Sequence, residues 1–261
     1  MINISQLNEI QILAFGLILL RMSAFVFSSA IFSSPSISTP VKILFSVVLS
    51  TLVFKSVTTN EVIARISLNE SQLILMSACE LLIGLVLGFF TRIFFFALSM
   101  AGEIVSISTG LGQAQMFNPM IGSMGNAMEQ FYVTIGTLLF FVLNGHHMMI
   151  QGLVQSFSVS QLAMMQFNAQ SFAEIVLKTQ EFFVLGIKIS APVLISMVIV
   201  QVGIALLSRA VPQINVLVTS ASVATLLGFG IIMVSLPLLL MQMSGLLDFT
   251  TVEFFKFIKT I

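Results

Sequence analysis

The chain has 261 residues, of which 57% are apolar and only 8% charged, and its ten Lys+Arg balance its ten Asp+Glu. Soluble domains carry about 25% charged residues, so a globule of this composition could not clothe its surface for water. An ordinary cytoplasmic enzyme, a disordered chain and a nucleic-acid binder, which needs a basic patch, are all excluded, and a membrane protein with room for about six spans of ~20 residues remains.

The first apolar segment runs from Ile12 to Phe32, interrupted only by Arg21, and Ser33-Ser34-Pro35 and Pro40 end it. No Lys or Arg precedes Arg21, so the N-terminus does not read as a signal peptide. The second segment, Val41 to Phe54, is 14 residues long, short for a ~30 Å hydrocarbon core even with Lys42 and Lys55 at its ends. A polar stretch from Lys55 to Gln72 follows. The third segment, Leu73 to Met100, carries Glu80 and Arg92 and the pair Gly84 and Gly88, a spacing that lets two helices approach closely. Cys79 lies inside it as the single cysteine, so no internal disulfide can form.

Ala101 to Gln130 is the least regular stretch. It holds Gly102, Gly110, Gly112, Gly122, Gly125 and Pro119, with no Lys or Arg. Glycine weakens a helix, so a loop or broken helix is expected here. Met116, Met120, Met124 and Met128 recur every four residues in the same stretch. Methionine is flexible and polarizable, which suits a deformable seal. The fourth segment, Phe131 to Val154, turns polar at Asn144-Gly145-His146-His147. The fifth, Phe182 to Ser208, contains Lys188 and Pro192. A sharp break follows at Arg209, Pro212, Gln213 and Asn215, expected to be a structured turn. The sixth, Ile214 to Leu247, is expected to divide or bend at Gly228, Gly230 and Pro237. With both termini cytoplasmic, the inner connections hold Lys55, Arg65, Lys178, Lys256 and Lys259, and the outer ones only Lys42 and Arg209.

Catalytic chemistry is not expected. His146 and His147 are adjacent, so on a helix they diverge by about 100° and cannot share one metal. No phosphate-binding glycine loop with a following Lys-Ser or Lys-Thr occurs. Six charges lie in or beside apolar segments: Arg21, Glu80, Arg92, Glu103, Glu129 and Lys188. Each would be costly against lipid and is expected to pair with another helix or another subunit. Trp is absent and Tyr132 is the single tyrosine, against 25 Phe, so the aromatic belt of a bilayer-facing bundle is nearly missing. Much of the surface is therefore expected to meet other protein chains.

Two stretches carry a recognisable pattern: Phe140-Phe141-Val142-Leu143-Asn144-Gly145-His146-His147, and Leu207-Ser208-Arg209-Ala210-Val211-Pro212-Gln213-Ile214-Asn215-Val216. Both resemble the FliR family of flagellar export proteins, related to the SctT component of virulence type III secretion systems. The length, the early break at Pro35 and Pro40 and the glycine-rich centre fit as well, and the resemblance covers essentially the whole chain. Val216-Leu217 stands where the family more often has Val-Phe, and His147 where an apolar or aromatic residue is common.

The resemblance implies an all-α integral membrane protein of helical hairpins with broken helices, a FliP-like part followed by a FliQ-like part, forming one export-gate domain over residues 1–261. One such chain would join several FliP and FliQ copies in a cone-like gate at the base of the flagellum. That gate sits in the bacterial inner membrane, partly raised to the periplasmic side. FlhB and FlhA homologues, unfolded protein substrates and membrane lipid are the further implied partners, with no cofactor and no nucleic acid. A central loop plugs the family's closed pore. Its match here is Ser106 to Gly125, with Gly110, Gly112, Met116, Phe117, Pro119, Met120, Gly122, Met124 and Gly125 as plug or gate residues. The family also has a methionine gasket, contributed mainly by FliP; that Met116 to Met128 extends it is a reading of their spacing alone.

The expected function is therefore a non-enzymatic pore subunit for export of unfolded flagellar proteins. The alternative is a self-contained secondary transporter with Glu80 and Arg92 in an ion path. Such transporters often repeat an interrupted helix in each half, and the broken region from Gly102 to Gly125 has no counterpart elsewhere in the sequence.

Overall fold

The computed structural model describes residues 9–58, 70–111, 126–162, 169–210 and 216–260. Every regular element among them is an α-helix: α1 (Glu9–Ser28), α2 (Thr39–Val57), α3 (Glu70–Thr109), α4 (Ala127–Val142), α5 (Gly145–Val159), α6 (Ala169–Ala210) and α7 (Val216–Thr260). Five of them contain stretches long and apolar enough to cross a membrane, and the number is six if α4 and α5 form one broken span. The chain is an all-α, multi-pass membrane protein.

Several boundaries differ from the sequence expectation. α2 has 19 residues rather than 14, about 28 Å at 1.5 Å per residue, which matches the bilayer core. Pro40 adds to its first turn, where a missing N–H leaves no bond unmade. The expected loop from Ala101 is helical as far as Thr109. Ala101 and Val105 are buried there, and Gly102 packs against the backbone of the facing helix. The fourth segment is two helices, α4 and α5, separated at Asn144, whose φ of 56° places it in the left-handed region. Asparagine tolerates that region better than most residues. The expected division of the last segment does not occur: α7 runs for 45 residues through Gly228, Gly230 and Pro237. Apolar surroundings hold a helix through glycine and proline more readily than water does.

The described helices pack as two compact units. The first draws on residues 1–93, 144–177 and 250–261. Within it, α1 and α2 run antiparallel, with Phe15 against Phe54 and Phe32 against Phe45 at 5.9 and 5.0 Å between ring centroids. α5 meets the end of α7, where Gly152 faces Phe254 and Ile258, and Phe90 of α3 stacks on Phe257 at 4.6 Å. The second unit draws on residues 94–143 and 178–249. There the end of α3 packs on α4 through Gly136 against Leu98, and on α6 through Gly186 against Ala97 and Met100. Phe94, Tyr132, Phe140, Met197 and Met243 are buried in this unit.

Candidate functional site

Two polar constructions stand out in this apolar chain, one in each unit. In the first unit, Arg21 lies in the middle of α1 and is fully buried. Its Nε donates to Oε2 of Glu80 on α3 at 2.6 Å, its Nη1 to the Ser156 hydroxyl at 3.1 Å, and its Nη2 to the Ser160 carbonyl at 3.1 Å. The guanidinium carbon also sits 4.1 Å from the centre of the Phe157 ring. All three nitrogens of the guanidinium are engaged, as a buried charge requires. The Ser160 carbonyl follows the last turn of α5, so the arginine places its positive charge where the helix dipole is negative. One side chain thereby ties α1, α3 and α5 together.

The close approach of α1 and α3 depends on glycine. Gly84 lies against the Arg21 carbonyl and the Ala24 side chain, and Gly88 against Ser28 and the Phe25 carbonyl. A Cβ at either position would overlap those atoms. Next to them, Thr91 accepts from the Ala30 amide at 3.2 Å and Arg92 donates to the Ser33 hydroxyl at 3.2 Å. Glu80 and Arg92 thus engage different partners, as their spacing of twelve residues, about 18 Å along a helix, requires.

In the second unit, the helices on either side of the glycine-rich stretch are pinned to one another. α3 ends at Thr109, and Gly110 follows with φ 80°, a conformation that suits glycine. The last carbonyls of α3 accept side-chain donors: Gln201 Nε2 reaches the Ser108 carbonyl at 3.1 Å, and Thr225 Oγ1 the Thr109 carbonyl at 3.2 Å. Gly228 packs against Thr109 beside them. On the other flank, Asn126 caps α4 by accepting from the Met128 amide at 3.2 Å, and its Nδ2 donates to Glu103 at 2.9 Å. Glu129 accepts a hydrogen bond from the Ser99 hydroxyl. Gly102 completes the contact, since a Cβ there would come within 2.6 Å of the Glu129 Cα.

The structure therefore brings Arg21 to Glu80, and sets Glu103 and Glu129 where the glycine-rich stretch leaves and rejoins the helices. Lys188 is exposed on α6, and Arg209 is exposed in its last turn. Of the expected plug, Gly110 is described; Gly112, Met116, Phe117, Pro119, Met120, Gly122, Met124 and Gly125 lie outside the described residues, as do Pro212, Gln213 and Asn215. Among the described residues, no three His, Cys, Asp or Glu side chains gather as a metal site would need.

Ser99, Asn126, Gln201 and Thr225 were not legible as site residues from composition. Asn126 did leave a signal: Asn-Ala-Met-Glu ahead of an apolar run has the spacing of a helix-start box. The roles of Ser156, Gln201 and Thr225 had no local signal, because their partners lie 135, 93 and 116 residues away.

A family model for bacterial export proteins, family 1, matches residues 12–250. The chain belongs to this family. It is 34% identical over 169 residues to the flagellar biosynthetic protein FliR of Aquifex aeolicus, a match spanning 64% of each chain. It is 26% identical over 241 residues to the FliR of Bacillus subtilis, 91% of each chain. It is 24% identical over 221 residues to the FliR of Escherichia coli, 85% of this chain and 83% of that one. The resemblance to FliR-family proteins drawn from the two motifs is borne out, and the family match contains both motifs.

Proposed function

We propose that this chain is a membrane subunit of the flagellar export apparatus, and that with FliP and FliQ homologues it forms the gate through which unfolded flagellar proteins cross the bacterial inner membrane. The observation that carries the reading is the family match over residues 12–250, joined by relatives across distant bacteria that bear the FliR name. In this reading the chain is not an enzyme and holds no cofactor; its work is to line and close a path. A FliP-like part precedes a FliQ-like part, and FlhB and FlhA homologues dock on the assembled gate.

Three features support it. α3, α6 and α7 contain 40, 42 and 45 residues. At 1.5 Å per residue each is about 60 Å or longer, twice the ~30 Å hydrocarbon core, so part of each would stand outside the bilayer, as expected for a gate raised to the periplasmic side. Lys188 is exposed amid apolar residues of α6, where lipid would penalise it and a partner subunit's carboxylate would not. The helix ends that flank this stretch are anchored, Ser108 and Thr109 by Gln201 and Thr225 and Asn126 by Glu103, as the fixed points of a plug that swings aside and returns would need to be.

Purification in mild detergent tests the reading. Co-elution with FliP and FliQ homologues as one stable complex of several hundred kilodaltons is expected. A free monomer that binds neither, in cells making all three, would sink it.

A further inference from the structure

We propose that Lys42 and Arg92, facing each other across the turn between α1 and α2, clasp the phosphate of an anionic phospholipid. The inference rests on the chain being a membrane protein and not on its export role. The two cations converge on one serine. Lys42 Nζ donates to the Ser33 carbonyl at 3.0 Å, and Arg92 Nη2 to the Ser33 hydroxyl at 3.2 Å. Both bonds end on the same residue, so the two charges lie within about 10 Å of each other. Neither cation reaches a carboxylate among the described residues: Glu80 is held by Arg21, and Glu253 pairs with Lys256.

Positive charge is therefore left uncompensated. Lys42 is only 9% exposed, and among the described residues one of the three protons of its ammonium is engaged. Arg92 is half-buried, with one of its five N–H donors engaged. Arg21 shows what a buried charge needs, a counter-ion and a bond on every nitrogen. Lys42 also lies near the start of α2, where the helix dipole is positive, and no acidic residue stands in that first turn. One anion with several oxygens would take up the spare donors of both side chains, the ammonium as a point charge and the guanidinium as a fork.

Helix lengths set the depth of the site. α1 and α2 have 20 and 19 residues, about 30 and 28 Å, so each crosses the ~30 Å hydrocarbon core once and the turn at residues 29–38 emerges at headgroup level. α3 runs alongside α1 in the same direction, with Gly84 at Arg21, Gly88 at Phe25 and Ser28, and Thr91 at Ala30. Arg92 comes 22 residues after the start of α3, about 33 Å along the helix, which puts it at the same level. Phe89, one turn back toward the hydrocarbon on the same side of α3, is 37% exposed. A phosphate held above such apolar surface is that of a lipid. With no carboxylate at the site to receive an ammonium group, a headgroup of net negative charge fits better than a zwitterionic one.

Lipid exchange provides the test. The protein, with whatever subunits remain bound, is reconstituted into vesicles of phosphatidylethanolamine and phosphatidylglycerol, recovered in mild detergent, and its phospholipid is counted per chain by mass spectrometry. Wild type should carry phosphatidylglycerol above its share of the vesicle. Arg92→Gln and Lys42→Gln should each bind it about fivefold more weakly. Arg92→Lys should recover part of that loss, keeping the charge without the fork. Lys55→Gln, which removes a cation from the other end of α2, should match wild type. If Lys42→Gln fails to assemble, the half-exposed Arg92 carries the comparison, and the lipid preference of wild type needs no variant at all. Equal retention of the two lipids by wild type would overturn the assignment, as would unchanged phosphatidylglycerol in both Gln variants. Loss of a partner subunit from those variants with lipid unchanged would give the cations to a protein carboxylate and overturn it too. Displacement of the lipid by millimolar inorganic phosphate would make this a site for the free anion, against the proposal.

Discussion

Arg21 and Glu80 stand 59 residues apart in the chain and form a 2.6 Å ion pair, with side chains 0 and 2% exposed. The remaining guanidinium nitrogens close on α5, so the pair is the polar centre of a three-helix junction in apolar surroundings. Taking a charge out of water is expensive, and the expense is offset here by hydrogen bonds on every side of the guanidinium.

Removing one partner should therefore be worse than removing both. Glu80→Ala leaves a buried guanidinium without its counter-ion, a loss of about 3–5 kcal/mol. Arg21→Met combined with Glu80→Leu should recover much of that loss. Arg21→Lys should fail, because one ammonium cannot reproduce a fork that serves α3 and α5 at once. Thermal stability and yield of the purified complex are the readouts. Equal damage in the single and double variants would show that packing, not charge balance, governs this junction. Glu80→Gln should impair assembly more than it alters the pH dependence of export. A large change in that dependence with assembly intact would make Glu80 a proton carrier.

Gly84 and Gly88 should be intolerant of any side chain. A Cβ at Gly84 would strike the Arg21 carbonyl and one at Gly88 would strike Ser28. Overpacking of this kind costs about 1–3 kcal/mol for Ala, and more for Leu. Gly203→Ala is the control, because a Cβ there meets nothing within 4 Å. It should be neutral or slightly stabilising, alanine being the better helix former. Equal tolerance at all three positions, measured by detergent-resistant assembly, would remove the close α1–α3 contact from the account.

Asn126 should discriminate between replacements that cap a helix equally well elsewhere. Asn126→Ala loses the cap, about 1 kcal/mol. Asp is as good a cap as Asn in general, but at this position it would face the Glu103 carboxylate that now accepts from Asn126 Nδ2. Asn126→Ser should therefore be milder than Asn126→Asp. Hydrogen exchange at the amides of Met128 and Glu129 reports the fraying directly. Asp protecting those amides as well as Asn would mean that Glu103 is not its partner.

The sequence made the helical class and the membrane setting legible, because low charge and long apolar runs need no tertiary information. Gly84 and Gly88 announced a helix contact by their spacing, though not which helix they would meet. Boundaries are less legible at glycine, which weakens a helix but also permits close packing. Gly102 and Gly228 interrupt nothing: each sits inside a helix at a point where another element comes too near for a side chain. The partners of Arg21 were beyond local reading, since Ser156 looks like any other serine near a helix end. What identified the family was a pair of short motifs, and neither contributes a residue to the Arg21 junction.

The boundary at Thr109 changes how a plug should be tested. Ser108 and Thr109 belong to α3, and their carbonyls anchor Gln201 and Thr225. A deletion beginning at Ser106 would remove those anchors and should lower the yield of the complex. Replacing only residues 112–125 with a short Gly-Ser linker keeps Gly110 and Asn126 and should leave the helices assembled. If this stretch closes the pore, the resting complex should then leak small ions. Met116→Ala, Met120→Ala and Met124→Ala together should leak less than the replacement, because the backbone still obstructs the path while the soft side-chain contacts are gone. Ion conductance of cells or reconstituted complexes decides the matter, with the amount of complex checked in each case. Tight membranes after replacement of 112–125, with the complex present at wild-type level, would move closure to the partner subunits.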